Sequence, residues 1–225
     1  MIRIEGLTKH YGSIRALDGV SFEIRPGEVL GLIGPNGSGK TTLFECIGGV
    51  LPFDAGRVDG PRDQIFYLPD SIAPWPHQRV AWALDFIEGY FGAASGMRAG
   101  VVDALWLSPL LGQRLGELSK GQRKRVLLEI ALLTSRPVVL ADEPFDGLDL
   151  KQTRDVAAAL RTFAREGRTL VLSIHQIADA ARVCDRFVLL SGGTIRGIGT
   201  LDELRAQATD LGARGTLEEV FLALT

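Results

Sequence analysis

At 225 residues the chain is long enough for one large domain, or one domain carrying an inserted lobe. Its 46% hydrophobic and 23% charged residues argue against intrinsic disorder. The 25 basic side chains against 27 acidic ones disfavour nucleic acid as the main partner, because no net basic footprint faces a phosphate backbone.

The first 32 residues read as strands. Ile2 and Ile4 alternate with charges, Phe22 and Ile24 alternate with Ser21, Glu23 and Arg25, and Pro26-Gly27 marks a turn. The start has neither the charged n-region nor the apolar h-region of a signal peptide, and no apolar run approaches ~20 residues, so the chain is expected neither to be exported nor to span a membrane. Val29 to Ile33 is a continuous apolar run, the pattern of a strand buried on both faces. A glycine-rich loop follows, and Thr42 to Val50 reads as a helix. Residues 71–133 have a different texture, with helical spacing at Val80, Leu84, Ile87 and Phe91, again near Val102 to Leu107, and after Ser119. This is the expected inserted lobe, leaving 1–70 and 134–225 as the core. Trp75, Trp82 and Phe91 fit either its interior, the reading favoured here, or a contact surface. Buried strands are expected at Pro137 to Ala141 and Arg168 to Ile174, with a helix from Gln152 to Arg165 between them, and a hairpin pairs Arg186 to Leu190 with Thr194 to Ile198. The tail from Leu217 to Leu224 is a short amphipathic helix expected to pack on the sheet. Strand and helix alternation makes the fold class α/β with a parallel sheet. Cys46 and Cys184, far apart in apolar surroundings, are expected to be buried, reduced thiols.

Gly34-Pro35-Asn36-Gly37-Ser38-Gly39-Lys40-Thr41 matches G-x-x-x-x-G-K-[ST] between a buried strand and a helix that continues through Thr42. In that context backbone N–H groups wrap phosphate oxygens and the helix dipole adds to their attraction. Lys40 would reach the β- and γ-phosphates and Thr41 would ligate Mg²⁺. Val138 to Ala141 leads into Asp142 and Glu143, two acids at the edge of an apolar strand. Alone they could be a solvated strand end; with the phosphate loop, Asp142 suits the Mg²⁺ shell and Glu143 suits orienting or deprotonating a water.

Leu118-Ser119-Lys120-Gly121-Gln122, read by itself, is a serine cap opening a helix. Its place about eighty residues after the phosphate loop and about twenty before Asp142-Glu143 closely resembles the signature of ATP-binding cassette (ABC) ATPases. The resemblance covers nearly the whole chain and implies a P-loop NTPase core with an N-terminal antiparallel β region and an inserted helical lobe. It also implies ATP and Mg²⁺ as ligands, with Tyr11 stacking on adenine, His175 as the switch histidine at the γ-phosphate, and Asp149 in a loop at a dimer seam. Two copies would associate head to tail, as homodimer or heterodimer, so that Ser119 to Gln122 of one cover the ATP of the other. Glu143, His175 and Lys40 would carry catalysis, and separate transmembrane permease subunits would hold the chain at the cytoplasmic face of the membrane.

Two positions depart from the family's pattern. Lys120 stands where Gly is common, and Asp70 follows Phe66-Tyr67-Leu68-Pro69 where the family usually carries a Gln that coordinates Mg²⁺ and links core to lobe. Asp is one methylene shorter, which leaves a closer loop approach, a water-mediated contact with the Mg²⁺ shell, substitution by Gln78, or a turn-capping role; the water-mediated contact is the reading favoured here. The leading function is the energising subunit of a transporter, with an exporter-type tail. The alternatives are a soluble cassette ATPase acting on DNA or ribosomes and a regulatory nucleotide-binding module.

Overall fold

A computed structural model describes residues 1–92, 97–209 and 216–224. The strands form two separate sheets. A small antiparallel sheet in the order β2-β1-β4 is made of β1 (Ile2–Tyr11), β2 (Ile14–Ile24) and β4 (Ala55–Asp59). The larger sheet contains β3 (Val29–Ile33), β5 (Ile65–Leu68), β6 (Val138–Asp142), β7 (Thr169–Ile174), β8 (Arg186–Ser191) and β9 (Thr194–Gly199). Its order is β5-β6-β7-β3-β8-β9, parallel except for the antiparallel final pair. The α/β reading therefore holds. The strand β4 was not foreseen, because Ala-Gly-Arg-Val-Asp has little β-propensity of its own and is recruited by pairing with β1.

The apolar run of β3 faces two cores. Leu30 and Leu32 pack with Leu43, Phe44 and Ile47 of α1 (Lys40–Ile47), while Val29 and Ile33 join the core beneath the remaining helices. Burial on both faces explains why β3 shows no polar alternation. Helix α1 begins two residues before the expected Thr42 and stops before Val50, where Gly48 and Gly49 follow it and Gly49 takes φ +75°.

Between β5 and β6 the described elements are helical: α2 (Val80–Phe91), α3 (Met97–Ala104) and α4 (Lys120–Leu133), with two short 3₁₀ turns between α3 and α4. Helix α4 packs on α2, α3, β5 and β6, and nearly all its residues from Val126 to Leu133 are buried. Helix α5 (Leu150–Arg165) follows β6, α6 (Ile177–Val183) follows β7, and α7 (Leu201–Thr209) and α8 (Leu217–Leu224) follow β9. The tail helix α8 packs mainly on α6 and α7 rather than on the sheet, although Leu224 reaches Gly197 of β9. Both thiols are free and buried, and burial pushes the Cys46 thiol up to about 11 and raises that of Cys184 as well.

Trp75 and Phe91 pack partly buried against the core, but Trp82 is 39% exposed, against the interior reading. It stacks on Phe86, which stacks on Tyr90, with ring centroids 5.5 and 6.2 Å apart along one face of α2. Spacing of i, i+4 and i+8 aligns them, yet Val80, Ala83, Leu84 and Ile87 already fill the inward face.

Candidate functional site

The parallel sheet brings the carboxyl ends of β3, β6 and β7 to one edge, the usual place for a ligand crevice in open α/β sheets. A cleft of about 330 Å³ opens there, lined by Ala16, Asn36, Gly37, Gly39, Lys40, Thr41, Thr42, Asp70, Asp142 and Glu143. The loop from Gly34 to Gly39 is shaped by close backbone approach. A Cβ on Gly34 would stand 2.3 Å from the Leu190 carbonyl oxygen, and Gly39, at φ +106°, would put one 2.5 Å from that of Ala16. Gly39 also begins α1 without a side-chain cap, and no acid belongs to the helix's own first turn, so no side chain of the helix competes for its leading N–H groups. Ser38 is buried, with its hydroxyl oxygen unbonded inside this loop, while Pro35 and Asn36 are exposed.

Lys40 is only 7% exposed, and its ammonium donates to the carbonyls of Gly34 at 2.8 Å and Pro35 at 3.3 Å, with Glu143 at 3.7 Å. Its charge is thus held at the cleft mainly by neutral carbonyls. The Thr41 hydroxyl donates to Asp142 Oδ2 at 2.8 Å, and Ser173 donates to Oδ1 of the same carboxylate. One hydroxyl and one carboxylate, 2% exposed at a strand end, form a donor set suited to Mg²⁺, which takes one or two protein oxygens and fills the rest of its octahedron with water and phosphate oxygens.

Glu143 follows Asp142 with φ +49°, a left-handed backbone uncommon for a residue other than glycine. Its N–H donates to the Ser173 hydroxyl at 3.0 Å, and its carboxylate lies 2.6 Å from Nδ1 of His175. Ser173 therefore serves both acids, a role that no motif in the sequence marks. Its signal was a polar residue in a strand buried at every position.

Asp70 reaches the cleft, but its carboxylate is engaged. Oδ1 accepts from Lys124 Nζ at 2.7 Å and Oδ2 from the Ser71 hydroxyl at 2.8 Å. Burial alone would raise the Asp70 carboxyl, yet the bonds from Lys124 and Ser71 outweigh it and hold the group below the ordinary carboxylate range. Burial raises the pKa of the Tyr67 hydroxyl, and the negative charges of Asp142, Glu45 and Asp70 raise it further. Gln78 is exposed and does not line the cleft.

Other sequence candidates lie elsewhere. Tyr11 ends β1, 46% exposed, with the Lys9 ammonium 5.7 Å from its ring centre, and is not part of the cleft lining. Ser119 caps α4 in a capping box, accepting from the Gln122 N–H at 3.2 Å while its own N–H donates to the Gln122 side chain at 2.9 Å. Lys120 pairs with Asp146 at 2.5 Å, and a Cβ on Gly121 would meet the Gly147 carbonyl at 2.5 Å. Asp149 caps α5 through the Gln152 N–H at 2.8 Å. None of Ser119, Lys120, Gly121, Gln122 or Asp149 faces the phosphate-loop cleft of its own chain.

A family model described as ABC transporter matches residues 17–146. The chain is 33% identical over 212 residues to an uncharacterized ABC transporter ATP-binding protein of Methanocaldococcus jannaschii, covering 90% of this chain and 79% of that protein. It is 35% identical over 227 residues to a sulfate/thiosulfate import ATP-binding protein of Bordetella parapertussis, and 28% identical over 240 residues to a probable multidrug ABC transporter ATP-binding protein of Escherichia coli. It spans 63% and 41% of the length of those two. The fold is similar to the ATP-binding subunit of an ABC transporter, at a TM-score of 0.88 and 28% identity over 100% of this chain and 99% of that one. It is also similar to a dimeric, post-hydrolysis cassette bound to ADP and phosphate, at a TM-score of 0.77 and 28% identity over 89% of this chain and 99% of that one.

Proposed function

The chain belongs to the ABC transporter family as an ATP-binding, ATP-hydrolysing subunit, and from that premise we propose how its residues divide the work. Asn36 to Thr42, with Gly34 and Pro35 shaping the loop, hold the ATP phosphates; Lys40 neutralises the β- and γ-phosphates; and Tyr11 offers its exposed face to the adenine. Thr41 and Asp142 hold Mg²⁺, which when bound supplies charge neutralisation across the phosphates. Glu143 takes the proton of the attacking water, and His175 orients that carboxylate at Nδ1 while presenting its other nitrogen toward the γ-phosphate. The observation that carries this reading is the meeting of Thr41 with Asp142 and of Glu143 with His175 at one sheet edge.

Ser119 to Gln122 and Asp149 act in trans in a head-to-tail dimer, a reading supported by their position away from the cleft of their own chain. Residues 71–133 form the helical lobe that carries the signature, and 1–70 with 134–225 form the core. No helix among the described residues is long and apolar enough to cross a membrane. We infer that separate permease subunits supply the pathway and hold the chain at the cytoplasmic face. The stacked aromatic face of α2 favours contact there, since three large rings are otherwise left to water.

The test is gentle solubilisation of native membranes, capture of the chain and identification of its companion. Co-purification of a membrane permease whose presence stimulates Mg²⁺-dependent phosphate release is expected. Recovery wholly from the cytosol, with no membrane protein attached, would move the function to a soluble ATPase.

A further inference from the structure

We propose that Lys124 is a positioning residue for ATP hydrolysis, its ion pair with Asp70 fixing the start of α4 to the strand ends that carry the catalytic acids. The inference rests on the ATPase reading above and concerns a residue that the motifs leave unassigned.

Lys124 lies in the second turn of α4, in a run with Arg123 and Arg125 that looks like an ordinary solvated basic patch. Its side chain is instead 3% exposed, a state that lysine reaches almost only when paired. An ammonium has three hydrogens to donate, and here three acceptors surround it: Asp70 Oδ1 at 2.7 Å, the Asp70 carbonyl at 3.3 Å and the Asp142 carbonyl at 3.3 Å. The first two belong to the segment leaving β5, the third to the last residue of β6. One side chain therefore ties a helix to two strand ends.

The tie bears on chemistry through the Asp142 carbonyl. The next residue is Glu143, whose left-handed backbone aims its carboxylate at His175. A shift of the 142–143 peptide would turn both acids at once. Elsewhere the start of α4 is held to the loop after β6, by Lys120 on Asp146 and by the close approach of Gly121 to Gly147. Lys124 adds the link to Asp70, which lines the phosphate-loop cleft beside Lys40 and Thr41. With Oδ1 on Lys124 and Oδ2 on Ser71, the carboxylate of Asp70 is committed to this pair. Asp70 thus supports the edge through Lys124, in place of lending its charge to the Mg²⁺ shell.

The experiment compares the full chain with Lys124→Met, Asp70→Asn and the double variant. It measures kcat and KM for ATP, the Mg²⁺ concentration giving half-maximal rate, affinity for a fluorescent ATP analogue, and hydrogen exchange of the 119–124 amides without nucleotide. Both single variants should lose on the order of 10- to 100-fold in kcat, with analogue affinity and half-maximal Mg²⁺ unchanged. The double variant should fall no lower than the worse single one, and exchange at 119–124 should rise in all three. Asp70 is partly exposed, so Asp70→Asn still reports on the pair should Lys124→Met fold poorly.

Independent, multiplying effects on kcat would overturn the proposal. So would opposite shifts in Mg²⁺ dependence, weaker for Asp70→Asn and tighter for Lys124→Met, because these would show Asp70 serving the metal with Lys124 as competitor. Should the wild-type chain prove inactive, the ATPase reading fails, while the exchange measurement still decides whether the latch exists.

Discussion

At the end of β6, every acid that the proposed chemistry needs is held by a partner distant in the chain: Asp142 by Thr41 and Ser173, Glu143 by Ser173 and His175. At the start of α4, Ser119 and Gln122 hold one another across three residues. The first arrangement exists only when the parallel sheet is complete, since β7 must pair between β6 and β3 before Ser173 can reach either acid. The second is available to any short stretch that turns into a helix. Damage to the sheet edge should therefore be severe and felt in chemistry, whereas damage to the cap should be mild and felt in local stability. A functional loss at the cap beyond that mild cost has to come from what the cap faces in a second copy.

The largest effect is expected at Glu143. Replacement by Gln preserves shape and removes the proton acceptor, so phosphate release should fall by about 10²–10⁴-fold while ATP binding persists. Gel filtration with ATP should show a dimer that ADP does not produce; an active variant would remove Glu143 from the role of base and break the comparison at its stronger end. Next comes the opposite edge of the same sheet, where the buried Arg186 guanidinium at the start of β8 grips both oxygens of Glu28, just before β3, at 3.1 and 2.9 Å. Glu28→Ala leaves that charge without its partner, a loss of about 3–5 kcal/mol by the usual cost of breaking a buried pair. Urea unfolding reads it directly, and a change below about 1 kcal/mol would mean the pair is open to water.

How far each region could be read in advance follows from the same contrast. The phosphate loop was legible because its function is written in consecutive residues, and the buried strands were legible because β3, β6 and β7 each carry a continuous apolar run. Ser173 was not, since its partners, Asp142 and Glu143, stand at the end of β6 about thirty residues earlier and only the sheet assembles them. The helices of the lobe could be placed from apolar spacing, but spacing does not say how many rings the interior accepts, so Trp82, expected inward, lies outward. Lys124 carried no signal at all. In a run of three basic residues, sequence cannot tell which one turns inward; the acid that draws it there stands 54 residues earlier.

Tyr11 should give a smaller effect. Its ring is exposed at the end of β1, and a stacked base is worth about 1–3 kcal/mol. Tyr11→Ala should therefore weaken ATP binding by about 5- to 150-fold at near-normal turnover under saturation, and Tyr11→Phe should restore it. Equal affinities for Tyr11→Ala and the wild type would detach Tyr11 from the nucleotide.

The smallest stability change is expected at Ser119, and it separates the two regions most sharply. Ser119→Ala removes the acceptor for the Gln122 N–H and opens the capping box, which costs about 1 kcal/mol for an exposed cap. Ser119→Asp should recover that stability, because aspartate caps a helix as well as serine does. It also places a negative charge at the start of α4. If Ser119 serves only its own helix, the two variants should track stability, with Asp near the wild type in both unfolding and ATPase rate. In the head-to-tail arrangement the hydroxyl faces the phosphates held by the partner copy. The Asp variant should then be as stable as the wild type and yet hydrolyse ATP far more slowly than the Ala variant, since carboxylate and phosphate repel across the seam. Measuring unfolding and phosphate release on the same preparations decides between them, and an Asp variant with wild-type turnover would leave Ser119 a cap and nothing more.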